Sequence, residues 1–473
     1  MSIEEEGPIP FDKKKEMTNQ RKKEEGSNMK KRKIFLSVFL SICFFSSLAR
    51  ANGLNLNSLG TRALAMGGAF VGLADDFSAI YWNPAGMALF QKKYFGFYGS
   101  DLIPSGQYKL DVDVPPVMTL VNARTETKHY LTALAAYYHP VSEKVVVGLG
   151  VYVPSGLGAL WDGTDFALLP VQAGLPPNPT VSWKSKIGIV TFSPALAFKV
   201  NDKLSLGATF NINYATFDIS MWAGASDAPM PVVDLSQYEE SMTGWGYGAT
   251  LGVLFKPVEK LSFGATFRSA STVGFKGEAA ISGMNDLSTA MGIPINGTSD
   301  VEREVTWPMW LAGGVAFKPI EGLTLTGDVQ WTQWSTIDVM DTVYVDPFWS
   351  TLMEQSGDDA RPMHWDDALQ IRIGAEYKIN SLAFRAGYYY DPSPAPDRTM
   401  NVLLPNFDFN VITAGIGTHL DGLQLDFGIE YLMGKERNIP VERVATDPDW
   451  ETAQPGRYTM NIIVPTISVS YRF

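Results

Sequence analysis

Histidines are the side chains with which this sequence could most readily carry out acid–base or metal chemistry. A nucleophilic hydrolase needs an activated nucleophile with a base and an orienting acid in reach, and no such pattern surrounds any histidine here. No histidine pair with nearby carboxylates indicates a metal site, and the sequence has no nucleotide-binding motif, so neither a metal nor a cofactor is expected. The four histidines are His129, His139, His364 and His419.

The composition leaves two structural classes open. The chain has 473 residues, 45% hydrophobic and 19% charged, with a formal net charge of −12 and 43 glycines. An acidic balance without a basic block argues against nucleic-acid binding. No segment after residue 51 runs for ~18 apolar residues, which excludes a polytopic helical membrane protein. A mean hydropathy of −0.02 fits a large soluble protein, but it also fits a barrel whose lipid-facing and lumen-facing residues average out.

The N-terminus is organised as a secretory signal peptide. Residues 30–33 are basic, residues 34–48 are apolar, and an Ala-Arg-Ala sequence ends at Ala51. We expect cleavage after Ala51, export into a bacterial envelope and a mature start at Asn52. Residues 1–28 precede this signal and are interpreted as a non-native or disordered extension.

The only cysteine, Cys43, lies inside the predicted signal peptide, so the mature chain would be cysteine-free. Two alternatives remain for this region. In the first, the apolar stretch is an N-terminal membrane anchor. In the second, Cys43 carries a lipid, although Ile42 is a poor residue to precede a lipidated cysteine.

Alternation of apolar and polar residues predicts long β-strands in the rest of the chain. A period of two over 9–12 residues indicates strands rather than helices. Strands of this length suit a tilted crossing of a bilayer, which takes about 9–11 residues. The clearest segments are 203–217, 260–268, 368–379 and 423–433.

Short turns and long loops alternate between these strands, as in outer-membrane barrels. An even number of strands lets the barrel close and removes the sheet edges that lipid cannot satisfy. We therefore predict an all-β fold, a 14-stranded antiparallel transmembrane β-barrel over residues 91–473. The predicted strands are 94–110, 127–139, 145–153, 186–200, 203–220, 244–256, 260–276, 302–318, 322–337, 367–379, 382–390, 409–419, 423–433 and 459–473.

The last predicted strand ends on an aromatic residue, Phe473, after alternating apolar residues. This pattern resembles the signal that the outer-membrane assembly machinery recognises. We therefore expect that machinery to be a partner of the chain. The alternative is a soluble β-protein that ends on a core strand.

Residues 52–90 precede the predicted barrel and do not alternate. They are rich in glycine and alanine, and Asn83-Pro84 is a turn former. A barrel of fourteen strands has a lumen that must be either open or plugged. We interpret residues 52–90 as a small plug, or hatch, inside the lumen.

The hatch segment Ala69–Met87, with Ala-Asp-Asp before Asn83-Pro84-Ala85, resembles the N-terminal hatch of the FadL family of outer-membrane transporters. The resemblance covers essentially the whole mature chain. Further matching pieces begin at Val153, Gly244, Thr266 and Asp391. One departure is Ser155, where the family often carries phenylalanine.

The resemblance implies passive uptake of long-chain fatty acids or similar hydrophobic compounds. It implies that loops capture the ligand, that the hatch rearranges, and that the ligand leaves sideways into the membrane at a kink in the third strand. Gly148 and Gly150 are candidates for the kink, since glycine bends strands. The alternative is that both are ordinary barrel glycines. The hatch or gate candidates are Asp75, Asp76, Asn83, Pro84 and Ala85.

Ligand-binding candidates fall into two groups. Apolar side chains in predicted external loops are candidates for capture, with loop–loop packing as the alternative. Arginines are candidates for a carboxylate head group, with salt bridges to Asp328, Glu376, Asp426 and Glu430 as the alternative. The apolar candidates are Phe166, Leu168, Leu169, Phe348, Trp349, Leu352 and Met353. The arginines are Arg268, Arg372 and Arg385, which face the lumen by strand parity, and Arg398 in a loop.

Other functions stay open at this point. Transport of aromatic hydrocarbons such as toluene is an alternative within the same family. A general porin and a barrel-type lipid hydrolase are alternatives outside it, although the plug disfavours the first and the lack of a histidine-based site disfavours the second. We expect a monomer that contacts outer-membrane lipids and lipopolysaccharide and binds no nucleic acid.

Overall fold

The computed structural model describes residues 53–112, 118–167, 180–223, 236–450 and 452–473. The predicted signal peptide and the extension before it lie outside these residues. Within the described ranges, no helix is both long enough and apolar enough to cross a membrane.

The described residues form a closed antiparallel barrel of fourteen wall strands, which confirms the predicted fold. The first and last strands pair along their length, from Tyr94 with Arg472 to Lys109 with Arg457, and so close the sheet. The strands are β1 (Tyr94–Val112), β2 (Met118–Arg124), β3 (Tyr130–Pro140), β4 (Val145–Trp161), β5 (Trp183–Lys199), β6 (Leu204–Trp222), β7 (Gln237–Val258), β8 (Leu261–Arg268), β9 (Ser271–Ile281), β10 (Thr298–Trp307), β11 (Trp310–Phe317), β12 (Leu323–Thr332), β13 (Val339–Asp341), β14 (Val343–Tyr344), β15 (Ala360–Pro362), β16 (Ala368–Ile379), β17 (Leu382–Asp391), β18 (Phe409–Leu420), β19 (Leu423–Gly434), β20 (Arg437–Ile439) and β21 (Gly456–Arg472).

Some wall strands are interrupted, so that two segments share one place in the wall. These pairs are β2 with β3, β8 with β9, β10 with β11, β12 with β14, and β19 with β20. The short strands β13 and β15 form a separate two-stranded sheet in a loop.

Helices are short and lie in the hatch and the long loops. The hatch holds α1 (Thr61–Ala65), α2 (Ala79–Trp82) and a 3₁₀ helix (Pro84–Leu89). The loops hold α3 (Gly163–Ala167), α4 (Met284–Met291), α5 (Pro347–Ser356), α6 (Val441–Thr446) and 3₁₀ turns at Trp334–Thr336, Asp397–Thr399 and Pro448–Trp450.

The barrel is apolar outside and polar inside, the reverse of a soluble β-protein. In β6, Leu206 and Phe210 are exposed on the outer face, whereas Thr209 and Asn211 are buried in the lumen. This is the alternation expected where one strand face contacts lipid.

Strands extend further at the long-loop end than the sequence predicted. The segment 154–185 was predicted as a loop, but β4 continues to Trp161 and β5 begins at Trp183. In β7 the added outward residues are polar, such as Glu239 and Ser241, and these are exposed. The prediction stopped where the outward face ceased to be apolar, because the extension lies beyond the lipid-facing band.

Candidate functional site

Asn83 links the hatch to the barrel wall. Its side-chain amide donates to the Val71 carbonyl within the hatch at 3.0 Å and to the Val253 carbonyl of β7 at 2.9 Å. Its Oδ1 accepts the Ala85 backbone N–H at 3.1 Å and so caps the 3₁₀ helix that begins at Pro84. A buried amide with all three of these bonds fixes this turn against the wall.

Glycines of three adjacent wall strands make room for the same turn. A Cβ atom at Gly252 would lie 2.2 Å from Asn83 Oδ1, and one at Gly207 would lie 2.2 Å from the Pro84 backbone carbon. At Gly264 it would lie 2.0 Å from a hatch carbonyl oxygen. Only residues without a Cβ allow so close an approach of two backbones, so the hatch is seated on a floor of glycines.

An alternating chain of charges ties the hatch to the opposite side of the barrel. Arg62 of α1 binds Glu376 of β16 through two hydrogen bonds of 2.7 and 2.9 Å, and it also pairs with Asp75. Arg385 of β17 binds the same Glu376 at 2.7 Å and Asp426 of β19 at 2.7 Å. Bidentate, charge-assisted bonds of this kind are strong and directional, so they orient α1 on the wall.

The two neighbouring acids of the hatch have different roles. Burial alone would raise the pKa of Asp75, but the adjacent Arg62 guanidinium outweighs burial and holds that pKa below its ordinary value. Burial raises the pKa of Asp76, whose Oδ1 accepts the Ser78 backbone N–H at 2.8 Å and the Ser78 hydroxyl at 2.6 Å. Asp75 thus belongs to the charge chain, and Asp76 stabilises a turn inside the hatch.

Three of the four candidate arginines give no clear ligand site. Arg385 is neutralised in the charge chain described above. Arg372 donates to the Asn57 carbonyl and to the Gln370 side chain, each at 2.8 Å, and is buried under aromatic rings. Arg398 lies half-buried in a loop 3₁₀ turn and has no ion pair within the described ranges.

Arg268 differs from the others because it lines a cavity and lacks an acidic partner in the part of the chain that the structure describes. Its guanidinium donates to Thr250 Oγ1 at 3.2 Å and to the Tyr81 carbonyl at 3.1 Å. The rings of Tyr81 and Trp310 lie 4.6 and 5.0 Å from the guanidinium carbon. The cavity, about 40 Å³ in volume, therefore presents a positive charge among aromatic rings.

The barrel wall has a gap between β3 and β4. Regular pairing ends at Leu134 with Tyr152 and resumes at the bridge between Thr125 and Trp161. Between these points, residues 153–159 have no ladder partner on β3 in the described residues. Backbone groups left unpaired in a wall this close to lipid require another partner, since the hydrocarbon offers none.

The register of β4 shifts beyond the glycines that the sequence indicated for a kink. Gly148 and Gly150 pair regularly with both neighbouring strands, and the shift in register falls between Tyr152 and Ser155. Pro154 sits inside this shift, and its missing N–H suits an interrupted ladder. The assignment of the kink to Gly148 and Gly150 stays a prediction. A Cβ at Gly150 would meet Ile80 of the hatch, and one at Gly148 would meet Tyr138 of β3 and Met87 of the hatch.

The first residues of the hatch close this gap from inside. Residues 54–56 lie antiparallel to residues 154–156, with a bridge between Asn55 and Ser155. Two backbone hydrogen bonds of 2.9 and 3.1 Å flank the bridge. The N-terminal segment thus supplies the partner that β3 does not.

A cavity lies on each side of this closure. The inner cavity has a volume of about 110 Å³ and reaches from residues 53–58 to β1, β19 and β21. The outer cavity has about 290 Å³ and includes Leu131, which is 79% exposed. Both are lined by Leu102, Pro104 and Ile462, so they are separated at the gap by shared apolar side chains.

The apolar loop candidates are mostly buried rather than presented to solvent. Phe166, Trp349 and Met353 belong to the large apolar cluster at the long-loop end, and Trp349 is fully buried. Phe348 and Leu352 are partly buried against the same cluster. Leu168 and Leu169 lie outside the described residues. The expectation that these side chains form an exposed capture surface is therefore wrong for the buried ones, because the loops pack on one another.

The sequence analysis did not single out Ser155 and Arg62 for the roles that they have here. The Ser155 hydroxyl donates to the Leu54 carbonyl at 2.5 Å and accepts the Trp307 indole N–H at 2.8 Å. The signal for Ser155 was its departure from the family pattern. Arg62 carried a signal too, as the single cation in a small-residue segment.

The histidines lie apart from one another and near acids or tyrosine at the surface. Among the described residues, no group of three or more His, Cys, Asp or Glu is placed to hold a metal ion. His129 contacts Asp101 at 2.6 Å, His364 contacts Asp338 at 2.6 Å, His139 contacts Tyr137 at 3.3 Å, and His419 lines a cavity at the short-turn end.

Comparison with solved structures shows the same fold. A Pseudomonas aeruginosa FadL homologue matches with a TM-score of 0.71 and 19% identity, covering 89% of this chain and 100% of that one. The Pseudomonas putida toluene transporter TodX matches with a TM-score of 0.68 and 17% identity, covering 89% and 100%.

Comparison of sequences gives relatives over most of the chain. The long-chain fatty acid transport protein of Escherichia coli K12 is 22% identical over 446 residues, covering 85% of this chain and 92% of the relative. Outer membrane protein P1 of Haemophilus influenzae is 21% identical over 431 residues, covering 82% and 87%. The model of the family described as outer membrane protein transport protein (OMPP1/FadL/TodX) matches residues 42–473. The chain therefore belongs to this family of outer-membrane transport proteins.

Proposed function

We propose that the protein takes up a hydrophobic small molecule passively and releases it sideways through the wall gap into the outer membrane. The observation that carries this proposal is the gap between β3 and β4, at which residues 54–56 pair with β4. Two backbone hydrogen bonds and one side-chain bond hold this segment to β4, so its release would open the gap.

The physical argument favours an exit through the wall. An apolar ligand gains ~25 cal/mol for each Å² of its apolar surface that leaves water. A path from an enclosed cavity straight into lipid keeps that surface out of water throughout. Consumption of the ligand inside the cell maintains the gradient, so no energy source is required.

Long-chain fatty acids are the proposed ligands. Arg268 carries a positive charge in a cavity and has no acidic partner in the described ranges, so it suits a carboxylate head group. Relatives named as long-chain fatty acid transport proteins support this choice. A second candidate is an aromatic hydrocarbon, which the rings of Tyr81 and Trp310 beside Arg268 favour and which the toluene transporters among similar structures support.

We further propose that the protein is not an enzyme, acts as a monomer in contact with lipid and lipopolysaccharide, and is inserted through recognition of Phe473. Each described histidine bonds to an acid or tyrosine or lies at a cavity mouth, and none contacts a serine hydroxyl. A general porin is disfavoured because the hatch fills the lumen between its glycine floor and the charge chain. Phe473 is 61% exposed, which leaves its side chain accessible to an assembly partner.

A reversible cross-link tests the gate. Asn55 and Ser155 are bridge partners, and antiparallel partners lie close enough for a disulfide after substitution by cysteine. Cys43 is the only other cysteine in the sequence. The N55C/S155C double variant should take up labelled hexadecanoate only after reduction, whereas either single variant should not respond to reductant. Full uptake by the oxidised, cross-linked protein would refute the proposed exit.

A further inference from the structure

The inner cavity carries acids and no base. Glu430 and Asp391 line it, and its lining contains no lysine, arginine or histidine from the described ranges. Glu430 is buried and accepts the Tyr389 hydroxyl at 2.6 Å, and no basic side chain in these ranges forms an ion pair with it. The basic residues near the gap, His129 and Lys186, line only the outer cavity. The described lining therefore offers an anionic ligand no cation, and the Arg372 guanidinium, which attracts Glu430 electrostatically, lies outside this lining.

Two hydroxyl groups on the lining of the same cavity form no hydrogen bond of regular geometry with the residues that the structure describes. Ser100 of β1 and Thr132 of β3 are directly opposite each other in the ladder and are 7% and 6% exposed. Neither hydroxyl forms a hydrogen bond of regular geometry with a described residue, and the Tyr98 hydroxyl is the group that lies near Ser100. Buried hydroxyls are nearly always paired in folded proteins, so two unpaired ones on a cavity lining indicate a polar group that belongs there.

The side of the inner cavity that reaches the gap carries apolar residues. Leu102, Pro104 and Ile462 line both the inner and the outer cavity. A chain that starts at the two hydroxyls can therefore follow apolar side chains toward the lipid. The site combines one polar end with an apolar path, which suits an amphiphile with a single small head group.

From these features we infer that the inner cavity binds the neutral form of a long-chain amphiphile, an alcohol or a fatty acid that carries its proton. The ligand O–H donates to Glu430, and the hydroxyls of Ser100 and Thr132 bond to the ligand oxygen. A carboxylate has no proton to donate to Glu430. This inference rests on the proposed function, since it specifies which form of the ligand leaves through the gap.

Asn55 lies between the inner cavity and the cavity that Arg268 lines. It lines both the inner cavity and the cavity of Arg268, so the gate segment separates a basic chamber from an acidic one. The charged form of an acid is held at Arg268, and only the neutral form continues to the wall. The inner cavity thus acts as a filter that admits the neutral form of the head group and excludes the charged form.

Uptake of a matched pair of ligands tests the filter. Radiolabelled hexadecan-1-ol and hexadecanoate are offered at pH 8 to cells that lack their own transporter of this family, with cells carrying no barrel as background. The wild-type protein should favour the alcohol. Glu430→Gln removes the charge and should lower the ratio of alcohol to carboxylate uptake about tenfold, which corresponds to ~1.4 kcal/mol.

A hydroxyl deletion gives a second, independent readout. Thr132→Val keeps the side-chain volume and should lower alcohol uptake about fivefold. Thr324→Val is the matched control, because Thr324 is also buried and lumen-facing but does not line the inner cavity. Heat-modifiable migration on gels checks that each barrel is folded, and Ser100→Ala replaces Thr132→Val if that variant does not fold.

The outcomes separate the inference from the proposed function. Uptake of neither ligand above background by the wild-type protein overturns the proposed function. Uptake with a ratio that neither Glu430→Gln nor Thr132→Val changes overturns the filter alone. A wild-type preference for hexadecanoate that Glu430→Gln leaves intact also overturns the filter.

Discussion

The indole N–H of Trp307 in β10 donates to the hydroxyl of Ser155 in β4 at 2.8 Å, across the barrel lumen. The same hydroxyl donates to the Leu54 carbonyl, so one small side chain holds both the gate segment and the far wall.

Ser155→Ala should open the gate more often. The change removes two hydrogen bonds worth about 1 kcal/mol each, so the open fraction should rise by roughly tenfold or more. The initial rate of hexadecanoate uptake should increase wherever gate opening limits it. Ser205→Ala is the control, since Ser205 is a buried lumen serine of β6 away from the gate. Unchanged or slower uptake by a correctly folded S155A barrel would contradict this role.

Gly252→Ala should displace the hatch. The new methyl group would lie 2.2 Å from Asn83 Oδ1, and the bond from Asn83 to the wall must break or shift. We expect a lower melting temperature and a larger single-channel conductance in planar bilayers. Gly313→Ala is the matched control, because a Cβ there meets no atom within 4 Å. Equal conductance of the two variants would show that the hatch tolerates the methyl group.

Seating of the hatch should fail in acid. The pKa of Asp75 is held below its ordinary value by Arg62, so its ion pair stabilises the fold fully above the unfolded pKa of ~3.9. This contribution is lost as the pH falls through the lower, folded pKa. Thermal stability should therefore change little through Asp75 between pH 5 and pH 8 and decrease below about pH 4. An Asp75→Asn variant should be less stable at neutral pH and should lose less than the wild type on acidification; parallel curves for the two proteins would argue against the ion pair.

Arg268→Gln should weaken uptake of carboxylate ligands selectively. Hydrogen bonds to a charged group contribute about 1.5–3 kcal/mol, so hexadecanoate uptake should decrease tenfold or more. Toluene uptake should stay within twofold, because the rings around Arg268 remain. Arg398→Gln serves as the control, since Arg398 lies in a loop turn. Equal losses for both ligands would indicate that Arg268 only supports the wall.

The fold was predictable because the lipid imposes its pattern residue by residue. Neighbours such as Thr209 and Phe210 face opposite environments, and period-two alternation reports this directly. The roles of the arginines were not predictable in the same way. Arg385 and Arg268 both face the lumen, yet only Arg385 meets two carboxylates, and both lie on other strands, Glu376 on β16 and Asp426 on β19. Strand parity gives the face of a side chain but not its neighbours across the lumen.

The position at which β4 loses regular pairing was likewise not predictable from the sequence. Glycine is typical of a bend, so Gly148 and Gly150 were candidates from the sequence. In the structure, a Cβ atom at either position would also meet neighbouring side chains, and the sequence does not distinguish the two reasons for a glycine. Pro154 lies in the interrupted stretch, and it cannot donate a hydrogen bond to a neighbouring strand because proline has no backbone N–H.

The contacts of α1 set an order for biogenesis. Thr61 bonds to Thr466 at 2.7 Å and Arg62 bonds to Glu376, partners separated by 405 and 314 residues along the chain. The hatch is synthesised before the barrel, but its binding surface exists only once the last strands have closed the wall. Such long-range contacts form late. The hatch therefore acquires its final contacts last, once the strands that it binds have closed the wall.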